Sequence, residues 1–309
     1  MSPTNMFAPV STSAELIFGL SRFVLATITM IFIVVFALLA YVAVRFRNRS
    51  GDDRSEPAQV YGSTQVELAW TVIPVLIVIA LFLASARVIA SIQNTGRPAG
   101  ALEVIVTGHQ YWWEYRYPAL NIVTANELHV PVATPTFLTL LSADTDHSFW
   151  VPRLGGKTDL IPNHPNQMSI DPHETGLFLG QCAQYCGTQH AKMLLRVYVD
   201  TREEFDRWVH QQQQPAQNGA TEGQRIFEST ACVNCHTISG TAATGKFGPD
   251  LTHLMSRQTI AAGAAANVHE KLRLWIKNPD AVKPGSKMPA MGLSDRDVDA
   301  VTAYLETLR

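Results

Sequence analysis

At 309 residues the chain is long enough for two or three domains. Hydrophobic residues make up 47% and charged residues only 16%, a balance that leans towards a membrane protein and away from a highly charged soluble one. The formal net charge of −2, with no basic stripe anywhere, excludes nucleic acid as an expected partner.

Residues 1–22 are polar or mixed, with Arg22 as their one basic residue. Phe23–Val44 is then an uncharged apolar run of about the ~20 residues that a helix needs to cross a bilayer core. A signal peptide is the alternative. This run, however, lacks a basic leader and ends in R-F-R-N-R, which resembles a stop-transfer flank. Leu68–Ala86 is a second, shorter apolar run, with Pro74 near its start, where a kink is better tolerated in lipid than in water. Between the runs lie Arg45, Arg47, Arg49 and Arg54, and such an excess in a short loop marks the cytoplasmic side. Both termini, and everything after about residue 90, are therefore expected outside the cytoplasm. Glu67, at the mouth of the second span, is either an interfacial carboxylate reaching for water or a functional ionisable group.

From Leu102 to Asp200 the pattern changes. L-E-V-I-V-T-G-H (102–109), N-E-L-H-V-P-V (126–132), T-F-L-T-L-L-S (136–142) and L-L-R-V-Y-V (194–199) are short runs bounded by Gly, Pro, Asn and Asp. They predict strands of a sandwich or small barrel. Y-W-W-E-Y-R-Y (111–117) alternates like a strand and reads first as packing rings. Within this region C-A-Q-Y-C-G-T-Q-H-A-K-M (182–193) gathers two thiols, an imidazole and a thioether, and D-H-S-F-W-V-P supplies His147 upstream. These soft to borderline donors select copper over magnesium or calcium. Two thiols, two imidazoles and a methionine are too many for one copper, whereas two metals bridged by both sulfurs would use them all. A structural disulfide between Cys182 and Cys186 is the alternative. His109, His129, His164 and His173 lack close sulfur neighbours and read as structural or surface residues.

Q-Q-Q-Q-P-A-Q-N-G-A (211–220) is low in complexity and polar, the composition of a flexible linker. Beyond it, Cys232-x-x-Cys235-His236 has the form of a covalent haem c attachment motif, in which the thiols bond the porphyrin and the histidine reaches the iron. A thioredoxin-like redox pair would need a βαβ pattern, and a zinc site would need a second ligand pair; neither is found nearby. Met288, in K-M-P, is the expected sixth iron ligand, with Met291 and Met255 as competitors, and methionine suits electron transfer. F-G-P-D-L (247–251) predicts a tight turn beneath the ring and Trp275 a pocket wall. S-D-R-D (294–297) predicts a capping box opening a last helix through Leu308.

Together these motifs resemble subunit II of a haem–copper cytochrome c oxidase, in the bacterial caa-type variant with a fused C-terminal cytochrome c. The residues that carry the likeness are E-L-A-W-T-V-I-P, G-H-Q-Y-W-W, D-H-S-F-W-V-P with G-G-K-T-D-L-I-P, G-Q-C-A-Q-Y-C-G-T-Q-H-A-K-M, and C-V-N-C-H with K-M-P. The resemblance implies a multidomain chain: a two-helix transmembrane hairpin in residues 1–95, an all-β cupredoxin-like sandwich holding dinuclear copper (CuA) in 96–210, the linker 211–220, and an all-α class I cytochrome c domain in 221–309. It implies that Cys182 and Cys186 bridge both coppers. His147 and Met193 would complete one copper, and His190 with the backbone carbonyl of Gln184 the other. Glu67 would stand at the entrance of a proton path into subunit I, and the 111–113 aromatics at the surface where electrons arrive over the copper. The implied location is the bacterial inner membrane with both redox domains on the periplasmic side. The implied partners are oxidase subunits I and III, a cytochrome c or similar donor, and the bilayer. Gln184 stands where the family usually has a glutamate that also holds magnesium at the subunit I interface, so that ion loses a side-chain ligand. Tyr111 stands where the family's electron-receiving tryptophan normally sits, leaving Tyr111 or Trp112 to serve.

The implied electron order is haem c, then CuA, then a haem in subunit I, where oxygen is reduced and protons are pumped. Residues 101–200 carry nine acidic and five basic side chains, and residues 221–309 nine acidic and ten basic. An acidic copper-domain face is therefore expected to meet Lys271, Lys277, Lys283 and Lys287 in a weak, reversible docking helped by the tether. Two other classes remain open: a membrane-tethered copper-delivery protein with exposed sulfurs, and a CuA-bearing reductase acting on nitrogen oxides.

Overall fold

The computed structural model describes residues 4–47, 59, 61–93, 96–216 and 221–309. Arg49 and Arg54 of the basic loop, and residues 217–220 of the linker, lie outside the described residues. The chain divides into two compact units, Leu16–Thr95 and a second formed by Met1–Glu15 with Gly96–Arg309.

The first unit is built on α1 (Thr12–Arg45) and α2 (Thr64–Gln93). At about 1.5 Å per residue both are longer than the ~30 Å hydrocarbon layer. Phe32, Phe36, Leu39, Phe82 and Leu83 are exposed along them, as expected of helices that face lipid rather than a protein core. Pro74 lies inside α2 without ending it. The missing N–H leaves one carbonyl without its helical partner, a defect that helices in bilayers absorb.

In the second unit residues 102–200 form a sandwich of two five-stranded sheets. Its strands are β1 (Leu102–His109), β2 (Trp112–Tyr117), β3 (Ile122–Ala125), β4 (Glu127–Pro131), β5 (Thr136–Ser142), β6 (His147–Trp150), β7 (Thr158–Leu160), β8 (Asn166–Ile170), β9 (Gly176–Cys182) and β10 (Leu194–Asp200). The orders are β3-β2-β1-β5-β8 and β4-β10-β9-β6-β7, and each sheet contains one parallel pair, β1 with β5 and β10 with β4. Alternation explains the layering. Val104 and Val106 of β1, and Leu195, Val197 and Val199 of β10, point inwards and are buried, while their neighbours are half-buried. Each such side chain contributes roughly 1.5–3 kcal/mol by leaving water. Residues ahead of α1 close one side of the sandwich: Ser11 Oγ donates to the Leu154 carbonyl at 2.7 Å and Val10 N to the Arg153 carbonyl at 3.0 Å.

After β10 comes α3 (Arg202–Gln212), opened by a full capping box between Thr201 and Glu204. This helix runs into the stretch expected as linker. Gln212 is buried and donates to Ser256 Oγ at 3.0 Å, and Ala216 is buried in the next core. Glutamines are good helix formers once a cap and a docking surface exist.

The remaining residues form α4 (Glu222–Ser229), α5 (Cys232–Cys235), β11 (Thr259–Ile260), β12 (Ala265–Ala266), α6 (His269–Lys277), α7 (Pro279–Val282) and α8 (Asp295–Leu305). Apart from the two-residue β ladder this domain is helical. Ser294 caps α8 by accepting from Asp297 N at 3.2 Å. Its hydroxyl donates to the Asp297 carboxylate at 2.7 Å, where a box would bring that carboxylate to the cap's own N–H. The α8 helix ends at Leu305, short of the expected Leu308. The domain depends on α4 crossing α8. A Cβ at Gly223 would lie 2.0 Å from the Ala300 carbonyl oxygen, and Phe227 meets Tyr304 edge-on with ring centres 6.1 Å apart. Glycine in a helix normally costs about 1 kcal/mol against alanine; here it permits the backbones to touch. Gly223→Ala should therefore destabilise this domain by about 1–3 kcal/mol through overpacking, read as a lower thermal midpoint in circular dichroism, whereas an exposed control such as Arg225→Ala should leave the midpoint nearly unchanged.

Candidate functional site

Three places in the sandwich converge on one donor cluster. His147 begins β6, Cys182 ends β9, and the loop 183–193 between β9 and β10 returns Cys186, His190 and Met193 to the same spot. The loop is closed by the Cys182 N–H donating to the Met193 carbonyl at 2.9 Å. The two sulfurs are 3.9 Å apart, nearly twice a disulfide bond, and both cysteines are free. Around them stand His147 Nδ1 at 3.9 Å from Cys182 Sγ, His190 Nδ1 at 3.7 Å from Cys186 Sγ, and Met193 Sδ at 3.9 Å from Cys186 Sγ. The Gln184 carbonyl lies 3.2 Å from Cys182 Sγ, while the Gln184 side chain is exposed. Donors bonded at about 2.0–2.3 Å to one tetrahedral ion lie about 3.3–3.8 Å from each other. The spacing and softness of this set thus fit copper, and its number of donors fits two ions better than one.

Electrostatics prepare the cluster. The neighbouring Cys186 S–H pulls the Cys182 thiol far down, and the same contact with burial pushes the Cys186 thiol up, so the pair keeps one proton that a bound cation would displace. Burial opposes charge on Asp144, yet hydrogen bonds from His147, Gln110 and Thr145 hold its carboxyl below the usual range. Asp144 Oδ1 accepts from His147 Nε2 at 2.8 Å, which turns Nδ1 towards the sulfurs and fixes the ring. Asp144 was not recognised in the sequence, although the D-T-D-H spacing places a carboxylate three residues before the histidine.

A second site lies in the helical domain. Cys232, Cys235, His236, Met288 and Met291 line one large apolar pocket, with Trp275 and Phe247 among its walls. Met255 instead packs against the helical core. The His236 Nδ1–H donates to the Pro249 carbonyl at 2.8 Å, leaving Nε2 for another partner. A Cβ on Gly248 would lie 2.6 Å from the His236 ring, so the turn at 247–251 is pressed against that imidazole. Arg257 is buried on the pocket wall with Nε unpartnered and is bound through its Nη2 to the Asp250 carbonyl at 2.6 Å. A large flat apolar group that bears carboxylates and offers a metal to imidazole and thioether is what these residues fit. Haem has that chemistry.

Gln110, Tyr111, Trp112 and Asn126 of the sandwich line the same pocket. Trp112 is buried with Ala125 and with Ala262 of the helical domain, and its ring stacks on His109 at 4.2 Å. Gln110 links this wall to the sulfur cluster twice, through its side chain to the Cys186 carbonyl at 2.5 Å and its N–H to Asp144 Oδ2 at 2.6 Å. The expected loose docking of a lysine-rich edge is not what holds the domains together. Lys277 pairs with Asp295 of its own domain, whereas Lys283 is buried and donates to the carbonyls of Tyr111 and Ala261 at 2.8 and 3.1 Å. Burial pushes the Lys283 ammonium down to about 7. Glu127 is the acidic counterpart. It accepts from Gln258 N, Thr259 N at 2.8 Å and Thr259 Oγ1 at 2.7 Å, in the helical domain. Charge counting names Lys283 but misses Glu127, and each bonds to backbone across the seam. Glu67 belongs to the other unit, where it is exposed in the first turn of α2.

Comparison with known proteins agrees with this architecture. Residues 2–88 match the cytochrome c oxidase subunit II transmembrane domain, 120–199 the cytochrome c oxidase subunit II periplasmic domain, and 220–309 cytochrome c. Among curated relatives, cytochrome c oxidase subunit 2 of Alkalihalophilus pseudofirmus is 33% identical over 97% of this chain and 90% of its own length. The subunit 2 of Bacillus sp. (strain PS3) is also 33% identical, over 85% of this chain and 80% of its own. A crystal structure of the periplasmic domain of subunit II (CoxB) of Bradyrhizobium japonicum aligns with 37% of this chain and 95% of its own, at 31% identity and a TM-score of 0.36. With three family domains in one order and relatives matched over nearly their whole length, the chain belongs to the cytochrome c oxidase subunit II family, as a subunit of a haem–copper oxidoreductase that carries its own C-terminal cytochrome c domain.

Proposed function

We propose that this chain is the electron-receiving subunit of a proton-translocating terminal oxidase. In this reading a cytochrome c or similar donor reduces a covalently attached haem c, dinuclear CuA is filled from it, and electrons pass to the haem of subunit I, where oxygen becomes water. The observation that carries the reading is the shared wall: Tyr111 and Trp112 line the pocket of Cys232, Cys235 and His236, while the adjoining Gln110 is hydrogen-bonded to Cys186. When bound, the haem and the copper pair supply one-electron carriers whose geometry need change little between redox states.

The protein's residues do the rest. Cys182 and Cys186 would bridge both coppers, with His147 and Met193 completing one, and His190 and the Gln184 carbonyl the other. Asp144 holds the His147 tautomer, and the rigid strands β6, β9 and β10 fix the donors so that little reorganisation accompanies a change of charge. Cys182 and Cys186 are only 2% and 3% exposed, which disfavours a delivery protein that must hand its metal on. In the pocket Cys232 and Cys235 would hold the porphyrin, His236 Nε2 and Met288 would hold its iron, and Arg257 Nε would face a haem carboxylate. The domain boundaries that suit this reading are 1–95, 96–210, 211–220 and 221–309. The membrane is the bacterial inner membrane, with both redox domains on its outer side, as the arginine-rich loop supports. Glu67 then stands at a proton path into subunit I, and subunit III completes the assembly. Gln184 brings no carboxylate for a magnesium, so none is assigned.

In the purified oxidase, electron paramagnetic resonance should show one unpaired electron spread over two equivalent copper nuclei; a single-copper signal would remove the assignment. Asp144→Asn should weaken copper retention about 10–100-fold, as loss of an outer hydrogen-bond partner does at metal sites, measured by competition with a chelator. Met288→Leu should lower the reduction potential of the haem and change its axial-ligand spectrum, whereas Met291→Leu should do neither.

A further inference from the structure

The seam between the copper-binding sandwich and the helical domain has a construction that the proposed electron path does not require. It contains two charged side chains, Glu127 and Lys283, that are only 2% and 3% exposed. They do not pair with each other. Glu127, at the start of β4, spends its carboxylate on the N–H groups of Gln258 and Thr259 and on the Thr259 hydroxyl, with Arg196 3.7 Å away on its own side. Lys283, just beyond α7, spends its ammonium on the Tyr111 carbonyl across the seam and on the Ala261 carbonyl within its own domain. A charge buried this deeply is tolerated only when its hydrogen bonds are made, and such bonds add more to geometric definition than to net stability.

The segment between these anchors touches the proposed electron path. Ala261 and Ala262 have φ of 54° and 58°, a left-handed pair that alanine rarely adopts and that surrounding contacts must hold. Ala262 packs on Trp112, and its carbonyl accepts from Leu194 N at 3.2 Å, the residue next to Met193. Over 258–262 the helical domain is thus held by Glu127 at one end, by Lys283 in the middle and by Leu194 at the other.

We propose that Glu127 and Lys283 are positioning residues that form a two-point latch, holding loop 258–262 on Trp112 so that the tethered haem is fixed in its transfer position and a mobile donor is kept off the Trp112 wall. This rests on the reading of the chain as an electron relay, but the latch itself is a matter of contacts between two parts of one chain. Because both charges hold the one short loop 258–262, loss of either should loosen the whole seam.

The test uses the purified oxidase, wild type and with Lys283→Met, Glu127→Gln and Lys283→Arg. Transfer from haem to copper after a light pulse is followed against viscosity and ionic strength, and amide hydrogen exchange is followed at Gln258 and Thr259. Wild type should transfer at a rate insensitive to both variables and protect both amides. Lys283→Met should slow transfer by at least about ten-fold, as small displacements of reacting partners do, and make it viscosity-dependent. It should also speed exchange at 258–259, which Lys283 does not touch, by about ten-fold or more. Glu127→Gln should act in the same direction, and Lys283→Arg should restore most of the rate. The copper and haem spectra should stay unchanged in all variants. Wild-type rates without viscosity dependence, and wild-type exchange, in both Lys283→Met and Glu127→Gln would overturn the latch. The exchange measurement needs no electron transfer, so a wild-type oxidase without a copper-pair signal would count against the functional reading while exchange still decides the latch.

Discussion

Two sulfur atoms held 3.9 Å apart, unbonded and almost out of water, are the constraint on which the sandwich is organised. Two close thiols readily oxidise to a disulfide unless something holds their side chains in another geometry. Here Cys182 is locked at the end of a central strand, while Cys186 sits on a loop pinned at both ends by backbone hydrogen bonds. The imidazoles and the thioether then stand around the sulfur pair. Asp144 completes the arrangement by fixing one imidazole from behind. A rigid placement of the donors by the strands is what fast one-electron traffic with little reorganisation needs.

The seam shows a different use of charge. Two domains of opposite net sign could have met through a diffuse field, as their composition suggests, and a tether would have made such weak docking sufficient. Instead, one carboxylate and one ammonium are buried and directed at backbone groups, where distance and angle matter more than total charge. The same surface closes over Trp112 and makes the sandwich part of the wall of the helical domain's pocket. The second domain therefore acts as more than a passive cargo on a flexible string. Its loop 258–262 is shaped by the partner on which it rests.

Much of this was legible in the residues. The β1 and β5 strands coincide with the runs 102–109 and 136–142, because alternation in a half-buried strand leaves an unambiguous period of two. The donor cluster was readable because soft ligands are rare and here are crowded into twelve residues. The β3, β6, β7, β8 and β9 strands were not found: most are short, and Asn166–Ile170 is polar enough to pass for a loop until it pairs with β5. Composition also hid the continuation of α3 into the glutamine tract, whose order comes from contacts with Ser256 and Leu120 rather than from local sequence. Glu127 and Arg257 escaped notice for a common reason. Each acts through a partner distant in the chain or through a backbone group, and neither leaves a mark in spacing.

The central claim is that the sulfurs of Cys182 and Cys186 are shared between two metal ions. X-ray absorption at the copper edge, combined with a copper count on the intact oxidase, addresses it most directly. The account predicts two coppers for each copy of this chain in excess of those held by the other subunits. Each should be bonded to both cysteine sulfurs and have a second copper as its near neighbour. One copper in this chain with a single sulfur bond, or none with the two cysteines joined to each other, would contradict it.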